Sequence, residues 1–174
     1  MAEADSQQKR EGAESGKNVE DPRRRIHGVV RKGTSNMKPV VQEEATGCGI
    51  ASAATILGKT YAEMKDIANA MGIHASDQAL WSDTQYVRRM LSVAGVETSM
   101  GELPFVSWDE LPDLALLSIT HYSENRRDFW HWVVFKRING TPLVLDSASH
   151  LPSNVRTDFD NMAPRWFIEV RFPP

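Results

Sequence analysis

The chain has a single thiol, Cys48, set between Gly47 and Gly49 and followed by small and apolar residues. Ile50, Ala53, Ala54 and Leu57 recur at spacings of three and four, the period of a helix buried along one face. The cysteine is therefore expected at a helix N-terminus. Unpaired backbone N–H groups and the positive end of the dipole favour a thiolate there. The flanking glycines, Gly47 and Gly49, leave room for other backbone or for a substrate to come close, which makes them cleft candidates. Gln42, six residues upstream of Cys48, offers an amide donor. A nucleophile at a helix start beside such a donor is suited to holding an oxyanion.

A thiolate needs a base, and the base needs a group to orient it. His131 opens the run His131-Trp132-Val133-Val134-Phe135, and Asp146 closes Leu143-Val144-Leu145-Asp146. Asn139-Gly140 between them is a hairpin signal. His131 lies eight residues before that turn and Asp146 six after it, so antiparallel pairing brings the two together. Asp146 would then fix the imidazole tautomer, and His131 would take the thiol proton. Each residue also has a plain reading. A buried cysteine is usually a small hydrophobe, a strand-end histidine a satisfied group, an aspartate after a strand a turn residue. Their joint placement favours the chemical reading. His121, at the end of the preceding strand, is the competing base. Trp130 and Trp132 flank His131 and are candidates to shield the pair or line the cleft. His27, His74 and His150 have no such context.

The elements that must hold these residues follow from pattern. Thr60-Tyr61-Ala62-Glu63 is a capping box, and Met64, Ile67, Ala68 and Met71 make the buried stripe of a second helix ended by Gly72. Ser82-Asp83-Thr84-Gln85 opens a third in the same way, with Val87, Met90, Leu91 and Ala94 inward. The loop between, with His74 and Trp81, is polar enough to border a cleft. The period then changes. A short strand is expected at Val96 to Ser99. Longer ones are expected at Leu114 to Tyr122, His131 to Arg137, Pro142 to Asp146 and Trp166 to Phe172. Helices first and an antiparallel sheet after them predict an α+β fold.

The 174 residues suggest one domain plus an extension. Residues 1–36 read as a polar tail, either solvated or ordered on a partner. Met1 to Arg25 contains no Leu, Ile, Phe, Tyr or Trp and cannot bury enough surface to offset its ordering entropy. Residues 37–174 form the domain. A net charge of -3 gives no basic surface for nucleic acid. No apolar run approaches the ~20 residues of a bilayer span, and the N-terminus lacks a signal-peptide core. One cysteine cannot form an internal disulfide, which fits a reducing compartment. The expected location is cytoplasmic, although a protein secreted without a signal would read the same. No metal or other cofactor is expected, for there is no His-Glu-x-x-His and no cysteine pair. Ala53-x4-Gly58-Lys59-Thr60 falls short of a phosphate loop, because the first glycine is missing and no strand leads into it.

The set Gln42-x5-Cys48-Gly49-x-Ala51, His131-Trp-Val-Val-Phe and Leu-Asp146 resembles the papain-like cysteine peptidases. It is closest to the branch that cleaves bacteriocin leader peptides after a double glycine, with its stand-alone relatives. The resemblance spans roughly Val40 to Arg171. It implies a papain-like arrangement of N-terminal helices on a C-terminal antiparallel sheet. It also implies Cys48 as nucleophile, His131 as general base, Asp146 as orienting acid and Gln42 as an oxyanion-hole donor, acting on a peptide or protein. No transporter segment follows, so a stand-alone enzyme is expected. The same triad also runs deamidation and amide transfer, and such a domain that has lost catalysis can persist as a peptide-binding module.

Overall fold

The structure is a computed structural model that describes residues 37–174. The tail expected over residues 1–36 lies outside them. Three helices come first: α1 (Cys48–Leu57), α2 (Tyr61–Ala70) and α3 (Gln85–Val93). Seven strands follow: β1 (Glu97–Thr98), β2 (Leu103–Pro104), β3 (Leu114–Glu124), β4 (Arg127–Ile138), β5 (Thr141–Asp146), β6 (Val155–Arg156) and β7 (Trp166–Arg171). They make one open antiparallel sheet in the order β1-β7-β3-β4-β5-β6, with β2 also on β7. The fold class is α+β, as the pattern predicts.

The local signals act as expected in several places. At α2 the Thr60 hydroxyl accepts from the Glu63 N–H, and the Glu63 carboxylate accepts from the Thr60 N–H at 2.7 Å. Asn139 and Gly140 both take positive φ, 51° and 83°, the conformation of a two-residue hairpin turn. At α3 the reading differs. Ser82 belongs to a preceding 3-10 turn (Gln78–Ser82), the N-cap is Thr84 without a side-chain cap bond, and Asp83 before it accepts from the Gln85 N–H at 2.7 Å. Ala94, expected inward, is exposed.

α1 also differs from the one-sided helix that its spacing suggests. Every residue from Cys48 to Ile56 is buried. Its small side chains let it lie against α2, α3 and β4 at once. Its two buried hydroxyls bond outward: Ser52 donates to the Trp132 carbonyl at 3.3 Å, and Thr55 accepts from the Val40 N–H at 3.0 Å. Burial on all sides fixes the direction of the helix, and so fixes where its N-terminus points.

The sheet is covered on both faces. Trp130, Trp132, Val134, Leu116, Leu145 and Ile168 join the helix-side core. Ala115, Leu117, Val133, Phe135 and Val144 join a second core beneath Leu111, Trp108, Phe159 and Met162. This period-two division assigns every strand residue near the site to one face or the other.

Candidate active site

Register explains how the histidine and the aspartate meet. Asp146 pairs across the sheet with Val133, so His131 is its diagonal neighbour on the same face. The His131 Nε2 to Asp146 Oδ1 distance is 2.7 Å. Nδ1 is then the ring nitrogen turned away from the carboxylate, and Cys48 is close enough to act on the ring. The three residues, 83 and 15 positions apart in turn, converge where the N-terminus of α1 meets the edge of β4.

The electrostatics follow from these contacts. Burial works against an imidazolium at His131. The hydrogen bonds to Asp146 and Cys48, and then their charges, outweigh it and lift His131 from 6.5 to about 10. Asp146 is 2% exposed. Burial alone would raise it, but the bond and charge of His131, the Ala148 N–H and Arg156 bring it down to about 2. Across the pH range between these values the pair is an ion pair, and its imidazolium faces the sulfur.

The first turn of α1 supplies donors. Its N-cap, Gly47, has no side chain to accept the free N–H groups. Gln42 lies on the lead-in to the helix, six residues before Cys48. Its Nε2 donates to the carbonyls of Glu44 and Ala45 at 3.0 and 3.1 Å, and its Oε1 accepts from the Ser147 hydroxyl at 2.9 Å. Its backbone N–H donates to the Ser147 carbonyl at 2.9 Å. Gln42 thus ties the loop before Cys48 to the residue after Asp146.

The two glycines do admit a close neighbour, and that neighbour is a tyrosine in each case. A Cβ on Gly47 would collide with the Tyr61 hydroxyl, and one on Gly49 with the Tyr86 hydroxyl. Tyr61 donates to the Glu44 carboxylate at 2.5 Å, and Lys65 bonds the same carboxylate. Tyr86 is 1% exposed. Its hydroxyl has no hydrogen-bonding partner of good geometry, although it lies beside Gly49 and the Trp132 indole. Burial, then the charge at Cys48, pushes it well above the usual tyrosine range, so it stays neutral.

The tryptophans fall on the other face. Trp132 is fully buried and Trp130 is 9% exposed; with Trp166 they form an edge-to-face cluster with centroids 5.0 to 6.0 Å apart. They wall the helix-side core behind the histidine. Trp81 donates to the Ala45 carbonyl, in the loop before Cys48, at 3.4 Å. The competing base, His121, sits at an irregularity in β3 and is engaged by Arg165 at 2.8 Å, with Asp128 at 3.6 Å. His74 is exposed beside Asn69. Residues 53–57, the would-be phosphate loop, are the interior of α1. Among the described residues no cluster of three His, Cys, Asp or Glu side chains has metal-binding geometry, and no helix is long and apolar enough to cross a membrane.

Sequence reasoning missed Arg156, Tyr61, Tyr86 and Ser147. Arg156 donates to Asp146 Oδ2 at 2.9 Å from a strand of only two residues, too short to show a period. Tyr61 figures in the sequence only as part of a capping box, and no motif singles out Tyr86. Only the glycines facing them hinted that something bulky lay close. No family model, no curated protein and no solved structure matches the chain.

Proposed function

We propose that the chain is a papain-like cysteine peptidase acting through a Cys48-His131-Asp146 triad. The single observation that carries this reading is the position of the His131 ring, bonded to a buried carboxylate and lying close enough to Cys48 to feel its charge. The Cys48 thiolate attacks a peptide carbonyl carbon, and the carbonyl π electrons move to oxygen. The Cys48 backbone N–H holds that oxyanion, joined by the Gln42 amide once it turns from the Ala45 carbonyl. The imidazolium gives its proton to the departing amine as the C–N bond breaks, leaving a thioester. His131 then takes a proton from water, which attacks the thioester and restores the thiolate.

The test is mass spectrometry of a peptide library and a thiol-directed probe incubated with wild type and Cys48→Ala. Peptidase action gives cleaved peptides and one probe adduct on Cys48, both lost in the variant. Mass gains of one unit at Gln or Asn without cleavage would move the reading to deamidation. A wild type that alkylates at pH 6 no faster than a free thiol would remove the ion pair on which either reading stands.

A further inference from the structure

His131, Asp146 and Arg156 lie on one diagonal across three neighbouring strands. Asp146 pairs with Val133, two residues beyond His131; Arg156 pairs with Val144, two residues short of Asp146. All three therefore face the same way. The Asp146 carboxylate is divided between its neighbours. Oδ1 accepts from His131 Nε2 at 2.7 Å and from the Ala148 N–H at 3.0 Å, and Oδ2 accepts from Arg156 Nη1 at 2.9 Å. The guanidinium is itself held flat. Its Nε and Nη2 donate to the two oxygens of Asp158 at 2.9 and 2.7 Å. The Arg156 side chain is 14% exposed.

We propose that Arg156 is a positioning residue for the triad, gripping one oxygen of Asp146 so that the other is presented to His131. This rests on the reading of Cys48, His131 and Asp146 as the reacting group. A surface ion pair with Asp158 alone would not need to reach inward. The third donor of the fork goes to a carboxylate that is 2% exposed, where an unmatched oxygen is costly. The charged and titratable groups around Asp146 are His131 from β4, Arg156 from β6 and, across the ring, Cys48 from α1 with Tyr86 behind it. Asp158 faces Arg156 from outside. Removing the one cation of β6 leaves the carboxylate easier to protonate. Once protonated, Asp146 no longer supports the imidazolium, and the thiolate goes with it.

The experiment is the rate of iodoacetamide alkylation of Cys48 from pH 2 to 10 in the full chain, with circular dichroism confirming the fold. Arg156→Met is expected to move the acid limb of the profile up by about one pH unit or more, the usual scale of a close opposite charge. Arg156→Lys is expected to restore at least half of that shift. Should the methionine variant not fold, Arg156→Gln, which keeps a hydrogen bond but no charge, must move the limb the same way. A limb that stays in place, or a lysine that restores nothing, overturns the role of Arg156 while leaving the triad standing. A wild type with no acid-stable fast phase overturns the triad itself.

Discussion

Where a methyl group would project from Gly49, the oxygen of Tyr86 already sits. A hydrogen is the only substituent that fits, so the residue after Cys48 is set by packing and not by a turn. Gly49→Ala should therefore destabilise by roughly 1–3 kcal/mol, the usual range for overpacking a rigid core. Tyr86→Phe removes only the nearest of the colliding atoms, a buried hydroxyl without a well-formed partner, and should cost little on its own; two ring carbons still stand 2.5 and 2.7 Å from where the methyl would sit. The double variant should therefore recover only part of the loss, read as coupling in urea midpoints. Independent, additive effects would mean that the two atoms do not compete for the same space. Gln42 is a second case, because it is both a tie and a donor. Gln42→Ala should lower turnover by about 10²–10³. Alkylation of Cys48 should also fall, but less, as the loop before α1 loosens. Equal losses in the two assays would reduce Gln42 to a tie alone.

Among the elements, sequence was most readable where a short motif has one physical meaning. The capping box of α2 and the Asn139-Gly140 turn are self-contained, so their residues specify them without help from the rest of the chain. The turn did more than end two strands. It set the register that makes His131 and Asp146 diagonal neighbours, which is why those two could be paired by counting from it. β2 and β6 were not readable, since two residues show no alternation and exist only because β7 and β5 offer an edge. With β6 went Arg156. The burial of α1 on all sides was hidden too: Ala, Ser and Thr positions look like a solvent face until neighbours on every side close over them. Face assignment was the last gap. Trp130 and Trp132 stand beside His131 in sequence, but alternation turns them to the opposite core.

For the whole molecule, the ion pair links stability to pH. His131 is raised from 6.5 to about 10 on folding, so its contribution is complete below about 6.5 and disappears as pH climbs through 10. Asp146 is lowered from 3.8 to about 2, so its contribution is complete above about 3.8 and disappears as pH falls through 2. Together they favour a plateau between roughly pH 4 and 6.5, with a decline on the alkaline side. Urea midpoints of wild type should fall from pH 6.5 to 10, and His131→Gln should flatten that decline. A variant that declines as steeply as wild type would place the alkaline sensitivity elsewhere. Cys48 lies at the front of the helices, and its partners lie on strands that come some 80 and 100 residues later. Nothing local can assemble that meeting. Fast labelling of the sulfur should thus appear only once helices and sheet have docked, which makes the thiol a built-in clock for the last step of folding.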